Sequence, residues 1–327
     1  MKSNYKRLGD YIRQVDVRNR DLAVERLLGL SVNKQFIPSI ANTIGTDMSN
    51  YKVVAPSQFV YIADTSRRGD KIAIALLGGQ GKAIVSAIYT VFEITNEMEL
   101  LPEYLMMWFR RPEFDRYARF KSHGSAREVF EWSEMCEVLL PIPPIEEQRK
   151  IVAQYQAIER RIENNRRLIA TLEETAKTIY RKMFVDNIDI ENLPKGWRIG
   201  TLGEFAVFKN GKAVQSINGE IPVYGGNGIV GGHNSHNAIN VIVIGRVGAN
   251  CGNIQIEREK GWINDNALLA VSKEGALYYL YWLLNTLSLN SKSEGSSQPL
   301  LTQTILTQID CVIPNSNTIQ RFAKIAE

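Results

Sequence analysis

The stretch from Ile145 to Phe184 constrains the fold of this chain more than any other part of its 327 residues. It contains no glycine or proline, and apolar or small residues recur at alternating spacings of four and three, which predicts a long helix with a coiled-coil seam. Asn165 takes the one polar seam position, where an asparagine commonly fixes register or partner. At about 1.5 Å per residue the seam is on the order of 50 Å long, so we expect it to pack against another long helix. The seam and assembly residues are Ile151, Tyr155, Ile158, Ile162, Asn165, Ile169, Leu172, Ala176, Ile179 and Met183.

The segments on either side of this helix resemble each other. The pair Gly124-Ser125 and the pair Gly295-Ser296 lie 171 residues apart, and the same offset carries Ile142-Pro143 onto Ile313-Pro314. The motifs LGDY at residues 8–11 and LGEF at residues 202–205 also match. So do YLMMW at 104–108 and YLYWL at 279–283, both of which lie inside short amphipathic patterns that predict helices. This pattern indicates domain duplication, because each repeat is far longer than a solenoid unit.

Short strand patterns and glycine-rich turns alternate within each repeat. Strands are predicted at residues 51–54, 59–62, 71–75, 206–208 and 240–244, and glycine-rich turns at residues 78–81 and 224–232. The predicted fold class is therefore α+β, with two loop-rich mixed α/β domains separated by the coiled-coil-type helix. The expected organisation is a first domain over residues 1–143, the central helix as a spacer and scaffold over 144–187, and a second domain over 188–313. Residues 314–327 are expected to begin a second helix of the same kind, truncated after its first turns. The alternative of a core helix in an all-helical domain is less favoured, since both flanks are rich in strands and turns.

Composition is that of a globular protein, with 44% hydrophobic and 23% charged residues. The formal net charge of +4 permits a polyanionic partner without indicating one by itself. The three cysteines, Cys136, Cys251 and Cys311, are far apart and never form a CxxC pair, so a reducing cytoplasm is the expected location. A signal peptide and a membrane-spanning segment are not predicted.

No motif predicts catalysis. The segment Gly78–Lys82 resembles a phosphate-binding loop, but Ala83 stands where such a loop needs serine or threonine. His233 and His236 form an HxxH pair without a nearby third ligand, so a surface loop is favoured over a metal site. The tetrapeptide that amino-methyltransferases use to hold a base is absent from the sequence, as is a nuclease triad. We therefore predict no catalytic residues, no metal site and no cofactor bound by this chain.

Polar loops in both domains are the remaining candidates for function. Asparagine, glutamine and arginine can form bidentate contacts with base edges, while lysine, serine and backbone amides hold phosphates. The same kind of loop occurs in both repeats on one stiff spacer, which favours DNA binding. In the first domain the candidates are Ser66, Arg67, Arg68, Lys71, Gln80, Lys82, His123, Ser125 and Arg127. In the second they are Asn210, Lys212, Tyr224, Asn227, His233, Arg246, Asn250, Asn253, Ser296 and Gln298.

Several of these segments resemble the specificity (S) subunits of type I restriction–modification systems. In the second half, the resemblance lies in LPKGW at residues 193–197, IPVYGGNG at 221–228, VIGRVGANCG at 243–252 and GSSQP at 295–299. In the first half, YKVVAP at residues 51–56 and LLPIPPIEEQ at 139–148 are similar to the same family. The order is that of two target-recognition domains joined by a central conserved helix, over nearly the whole chain.

The resemblance implies a subunit without catalytic activity that reads a bipartite, asymmetric DNA site, one half per recognition domain. It further implies two modification subunits that methylate adenine with S-adenosylmethionine, and motor–nuclease subunits that use ATP and magnesium. The short last helix departs from the family pattern, in which a second long helix packs antiparallel on the first. We therefore also expect self-association through the unpaired seam.

Two other functional hypotheses stay open at this point. A non-catalytic interaction protein, such as a coiled-coil adaptor or an anti-restriction decoy, would show no salt-sensitive affinity for DNA. A stand-alone restriction–modification enzyme would bind S-adenosylmethionine on its own, which the missing motifs argue against.

Overall fold

The protein is described by a computed structural model for residues 5–39, 45–65, 69, 71–123, 128–295 and 298–327. It forms two compact units, Met1–Asn164 and Asn165–Glu327, here called unit 1 and unit 2. Each unit contains antiparallel sheets and short helices, and the predicted long helix lies between the two sheet-rich regions of the sequence. The expected α+β fold class is thus confirmed.

Unit 1 is rich in short strands. Its strands are β1 (Tyr5–Arg7), β2 (Ile12–Val15), β3 (Leu28–Ser31), β4 (Gln35–Pro38), β5 (Lys52–Val54), β6 (Phe59–Ile62), β7 (Ala73–Leu76), β8 (Ala83–Val85), β9 (Thr90–Ile94) and β10 (Leu139–Pro141). Its helices before the long one are α1 (Pro102–Phe109), α2 (Pro112–Phe120) and α3 (Trp132–Cys136), with 3₁₀ turns at Leu8–Asp10 and Met48–Asn50.

The core of unit 1 lies between its main sheet and its helices. The sheet has the order β2-β9-β6-β7 and is antiparallel throughout, while β3-β4, β5-β8 and β1-β10 form separate pairs. Phe59 and Phe92 stack at 4.8 Å between ring centroids, and Phe109 of α1 meets both edge-on. Such aromatic pairs add to the free energy gained by burying apolar area. The pair β1-β10 joins the first strand of the unit to its last.

The predicted long helix is α4 (Ile145–Phe184), an uninterrupted element of 40 residues. It begins after two prolines, and its first turn carries acidic and its last turn basic side chains, which suits the helix dipole. Its two ends are partly buried, with Val152 8% and Tyr180 2% exposed, whereas Ile162 and Leu172 in the middle are 47% and 59% exposed. The predicted helix is confirmed, and its seam is apolar but open to solvent over most of its length.

Unit 2 has fewer but longer strands. They are β11 (Arg198–Thr201), β12 (Ala206–Asn210), β13 (Ile221–Gly225), β14 (Gly228–His233), β15 (Ala238–Gly245), β16 (Ile254–Ile263), β17 (Ala267–Ser272) and β18 (Asp310–Ile313). Its helices are α5 (Leu202–Phe205), α6 (Leu277–Thr286), α7 (Gln303–Thr307) and α8 (Ser316–Ala326), with 3₁₀ turns at Gly248–Asn250 and Leu289–Lys292.

Unit 2 is built around one six-stranded sheet of order β12-β17-β15-β16-β13-β14. Its pairs are antiparallel except β13-β16, which is parallel. Helices α6 and α8 and the end of α4 enclose the main core, which includes Tyr180, Phe184, Tyr279 and Phe322. The pair β11-β18 again joins the first strand of the unit to its last.

The two units repeat one another in topology, as the sequence duplication predicts. Each is closed by a terminal antiparallel strand pair, β1-β10 or β11-β18, and each follows its first strand with a short helical turn that starts with a leucine. The backbone N–H of Leu8 donates to the Val138 carbonyl, and that of Leu202 donates to the Ile309 carbonyl. In both units a helix then begins within a few residues of the closing strand, α4 in one case and α8 in the other.

The structure differs from the sequence predictions in one hairpin of unit 2. The stretch Tyr224–Gly232 was expected as a glycine-rich turn but forms most of the hairpin β13-β14 with a short turn. Its glycines are needed for close packing, since a Cβ on Gly231 would meet the Ser216 side chain and one on Gly232 the Gly219 carbonyl. Among the described residues no second long helix lies along the α4 seam, and α8 contacts α4 at Tyr180 and Phe184.

No helix in the described part of the chain is both long and apolar enough to cross a membrane.

Candidate nucleic-acid interface

One end of the six-stranded sheet in unit 2 collects most of the polar residues predicted there. Strands β12 and β15 end here and β17 begins here. The turn of the hairpin β13-β14 lies at the same end. A Cβ on Gly226 of that turn would lie 3.2 Å from the Asn266 carbonyl oxygen, and one on Gly245 would meet the carbonyl oxygens of Asn250 and Gly226. The glycines of the predicted motifs therefore let separate loops approach one another closely.

Asn227 and Asn253 meet at this end of the sheet. The Asn253 side-chain Nδ2 donates to Oδ1 of Asn227 at 3.5 Å, which links the hairpin turn to the loop before β16. The loop is itself held by backbone hydrogen bonds, from Gly245 N to Asn253 O and from Asn253 N to Asn250 O. The side chains of Asn227 and Asn253 are exposed, and that of Asn250 is half-buried. Amide groups in this setting can bond to base edges in either direction, as donor or acceptor.

Arg246 stands directly after β15, with its backbone tied to two other loops. Its N–H donates to Asn266 O, and its carbonyl accepts from Leu301 N. Its side chain is half-buried, and Nη1 donates to the Asp265 carbonyl at 3.4 Å, while Nε is buried without a hydrogen-bond partner among the described residues. Among the described residues no carboxylate lies within ion-pairing distance of this guanidinium. A fixed cation with an unused donor is suited to bind a phosphate or a guanine edge.

Asn210 and Lys212 lie beside the same loops. Asn210 ends β12 opposite Leu268, and Lys212 N donates to the Ile263 carbonyl. The Lys212 carbonyl accepts a hydrogen bond from the indole of Trp262 at 2.9 Å, and the Trp262 ring lies 4.9 Å from the ring of His233. The side chains of Asn210 and Lys212 are exposed. The structure thus connects Lys212 and His233 through one tryptophan that the sequence argument did not select.

Gln298 is exposed and lies in the segment before α7, which runs beside the loop that follows β15. The carbonyl of the next residue, Pro299, accepts from Gly248 N, which brings this segment against the loop that contains Asn250. Ser296 lies outside the described residues.

Tyr224 does not fit its predicted role as a DNA contact. Its side chain is only 8% exposed, in a cluster with Ile263 and Leu269, and its hydroxyl bonds to Glu257. Burial, with the neighbouring Glu257 carboxylate, raises the pKa of Tyr224 to about 12. The sequence does not distinguish this buried tyrosine from its exposed neighbours, because the glycines around it predict a turn where the structure has a strand.

The predicted residues of unit 1 that the structure describes do not lie in one place. Gln80 and Lys82 are exposed in the turn between β7 and β8, whereas Lys71 precedes the opposite end of β7. His123 is exposed and pairs through its backbone with Val129, close to where Thr65 contacts Ser122. The remaining candidates, Ser66, Arg67, Arg68, Ser125 and Arg127, lie outside the described residues.

The described residues of neither unit assemble a cluster of metal ligands or an activated thiol. Cys136, Cys251 and Cys311 are all free thiols, and burial raises the pKa of each of them. A thiol of raised pKa is a poor nucleophile at neutral pH. Within the described ranges, no three His, Cys, Asp or Glu side chains converge as metal ligands do.

Sequence reasoning missed Trp262 and the turn Asn264–Asn266. Asn264 Oδ1 accepts from Asn266 N, and the carbonyl of Asn264 lies where a Cβ on Gly211 would fall. The signal was a tryptophan followed by an Asn-Asp-Asn run directly after a strand, which is typical of a turn exposing polar side chains.

Comparisons with known proteins agree with this picture. A family model for the type I restriction modification DNA specificity domain matches residues 194–327. The specificity subunit of the type I restriction enzyme MjaIX from Methanocaldococcus jannaschii is 27% identical over 124 residues, which is 34% of this chain and 29% of that protein. The match therefore spans less than a third of the relative's length.

The fold comparison covers more of the chain. The crystal structure of the S subunit of a type I restriction–modification system from M. genitalium superposes with a TM-score of 0.65 at 18% identity. It covers 99% of this chain and 89% of that one. The resemblance found in the sequence is therefore confirmed: residues 194–327 match the model of the type I restriction modification DNA specificity domain, and the chain has the fold of a type I S subunit.

Proposed function

We propose that this chain is the DNA-recognition and scaffold subunit of a type I restriction–modification complex. It reads a bipartite, asymmetric site in double-stranded DNA, one half-site per recognition domain. The observation that carries the proposal is the end of the unit 2 sheet, where Arg246, Lys212 and four asparagines lie in the domain that matches the family model. These are the side chains that bind phosphates and base edges.

The chain acts without catalysis of its own. Its two modification subunits methylate adenine with S-adenosylmethionine, and motor–nuclease subunits with ATP and magnesium join where the system includes them. Helix α4, which has few contacts in its middle, is the spacer and scaffold between the two recognition domains. The complex works in the cytoplasm, in keeping with three free thiols in this chain.

Self-association is a further property of the isolated chain. The α4 seam exposes Ile158, Ile162, Ile169 and Leu172, each 47–62% exposed. A continuous apolar stripe of this kind favours association with another surface.

DNA binding by the chain together with its modification subunits tests the proposal. If Arg246 binds a phosphate, its replacement with alanine should lower the slope of log affinity against log salt concentration (the salt slope) by roughly one unit. If it binds a base edge, the replacement should cost about 1–3 kcal/mol of binding free energy at one position of the site. The matched control is Arg321→Ala, since Arg321 is exposed on α8 away from the sheet end. Equal affinity and salt slope for Arg246→Ala, Lys212→Ala and the control would contradict the assigned interface.

The adaptor and enzyme alternatives give different results. An adaptor or decoy would bind no DNA in a salt-dependent way even with partners present. A stand-alone enzyme would bind S-adenosylmethionine as the isolated chain, which calorimetry with S-adenosylmethionine alone would detect.

A further inference from the structure

The main sheets of the two units have the same strand order. The order β2-β9-β6-β7 in unit 1 corresponds to β12-β17-β15-β16 in unit 2, and neighbouring strands are antiparallel in both. In unit 2 the candidate interface lies where β12 and β15 end and β17 begins. In unit 1 the corresponding sheet end is where β2 and β6 end, at Val15 and Ile62, and where β9 begins, at Thr90.

The backbone hydrogen bonds beyond these strand ends also correspond. After β6 the N–H of Phe130 donates to the Ala63 carbonyl, and after β15 the N–H of Leu301 donates to the Arg246 carbonyl. The two donors are 171 residues apart, which is the offset of the sequence repeat. The surface of unit 1 that corresponds to the unit 2 interface is therefore the end of its sheet at Val15.

The loop that follows β2 is held over this end of the sheet by polar contacts. Arg18 Nε pairs with Asp16 Oδ1 at 2.8 Å, and Arg18 Nη1 donates to the Asn50 carbonyl at 2.8 Å. Lys52 Nζ donates at 2.8 Å to the carbonyl of Tyr89, the residue directly before β9. The cationic groups of Arg18 and Lys52 thus serve to hold the loop in place.

The buried side chain of Asn19 fixes the same loop from within. It is 1% exposed, its Oδ1 accepts from Val24 N at 3.1 Å, and its Nδ2 donates to Val24 O at 2.9 Å. The backbone of the loop is joined to the start of β5, from Asn19 N to Tyr51 O and from Val53 N to Val17 O. A buried amide with both of its groups paired specifies one conformation of the loop.

Arg20 is the exposed cation that this loop presents. Its Nη1 donates to Asn50 Oδ1 at 2.8 Å, and Asn50 Nδ2 donates in turn to Asp47 Oδ2 at 3.1 Å. Within the described part of the chain, no carboxylate lies at ion-pairing distance from Arg20. The guanidinium is thus oriented through an amide, and it keeps its charge and most of its N–H donors for a ligand.

We propose that Arg20 is a base-contacting residue of unit 1, which donates to O6 and N7 of a guanine in the half-site that unit 1 binds. Arginine makes this bidentate contact in the major groove of DNA. Asn50 and Asp47 are positioning residues, since they orient the guanidinium and do not themselves contact the base. The assignment rests on the proposed function and names a specificity-determining residue for it.

Methylated adenines mapped across the genome test the assignment in the complete complex. The half-site of unit 1 is the one that stays unchanged when residues 195–312 are exchanged for those of a relative. Arg20→Ala and Arg20→Lys should both accept other bases in place of one guanine there, because lysine keeps the charge but lacks the planar fork. The other half-site should not change. The control is Arg26→Ala, since Arg26 is exposed but lines a cavity with Gly78, beyond the opposite end of β7.

Binding to a synthetic site separates a base contact from a phosphate contact. Replacing that guanine with 7-deazaguanine removes the N7 acceptor, which should weaken binding by the unaltered complex roughly tenfold and binding by the Arg20→Ala complex by less than about twofold. Asn50→Ala should relax the same position to a smaller extent than Arg20→Ala.

Three results would overturn the assignment. Both Arg20 variants could still require every guanine of the half-site. Arg20→Ala could instead weaken binding to all sequences alike and lower the salt slope by roughly one unit, which would make Arg20 a phosphate contact. A complex that binds no specific DNA would overturn the proposed function as well, whereas the first two results leave that function intact.

Discussion

Units 1 and 2 share their closing strand pairs and the position of their helices, but they differ in the loops at the sheet ends. In unit 2 the loops around Arg246 and Asn253 are joined by backbone hydrogen bonds into one surface. In unit 1 the segments with Lys71 and Lys82 lie at opposite ends of β7. The comparison indicates that duplication preserved the parts that hold each domain together, while the exposed loops diverged, as expected where two copies bind different ligands.

The units also differ in how α4 is attached to them. In unit 1 the attachment is polar, through the buried side chain of Gln148. Its Oε1 accepts from Leu101 N at 3.0 Å, and its Nε2 donates to the carbonyls of Glu99 and Pro143, both at 2.8 Å. In unit 2 the attachment is aromatic, through Tyr180 and Phe184. The same helix is therefore held at one end by hydrogen bonds and at the other by packing.

Phe184→Ala should have the largest effect on folding. Removing a buried aromatic ring leaves a cavity and typically costs about 3–5 kcal/mol, and Phe184 is 7% exposed within the main core of unit 2. The free energy of unfolding, measured by urea denaturation, should fall for unit 2 while the transition of unit 1 stays in place. Leu172→Ala on the same helix is the control, and it should change stability by less than about 0.5 kcal/mol because that side chain is 59% exposed. An equal loss for both variants would mean that the end of α4 is not part of the core.

Gln148→Ala should have the next largest effect, this time on unit 1. The substitution removes three hydrogen bonds made by a fully buried side chain, to the Leu101 N–H and to the Glu99 and Pro143 carbonyls, which costs roughly 1–3 kcal/mol. The matched variant in unit 2 is Gln320→Ala, which removes one hydrogen bond to the Glu274 carbonyl from a half-buried side chain. We expect a loss below about 1 kcal/mol for Gln320→Ala. Thermal unfolding measures the stability of both variants. A larger loss of stability for Gln320→Ala than for Gln148→Ala would contradict the comparison.

Changing the exposed seam should have the smallest effect on folding and a clear effect on association. Ile162→Glu with Ile169→Glu places two carboxylates on the stripe, and because both sites are exposed we expect stability to change by no more than about 0.5 kcal/mol each. Sedimentation velocity of the isolated chain at micromolar concentration should show less self-association than for the unaltered chain. If the unaltered chain is already a monodisperse monomer, the seam does not drive association.

The sequence predicted the regular elements well where a physical pattern was strong. The 40-residue helix followed from its uninterrupted apolar spacing, and α1 and α6 followed from matching amphipathic motifs. The strands β5, β6, β12 and β15 were found from β-branched and aromatic runs. The hairpin β13-β14 was missed because its glycines, which usually mark turns, serve here to bring strands together.

The interface could be predicted only by residue type. Amide and basic side chains pointed to Asn227, Arg246 and Asn253, which the fold brings together. Tyr224 shows the limit, since whether a tyrosine faces solvent or a buried carboxylate depends on strand register and not on its neighbours in sequence. The burial of Gln148 was equally out of reach, because its partners lie 47 and 49 residues away.

The most direct test of the account is to exchange the second recognition domain alone. A chain in which residues 195–312 are replaced by the equivalent domain of a relative is expressed with its modification subunits, and methylated adenines are mapped across the genome. The boundaries keep unit 1 and α4 intact. If each domain reads its own half-site, one half of the methylated sequence changes and the other half stays the same. A change in both halves, or in neither, would contradict the proposal that recognition is divided between the two domains.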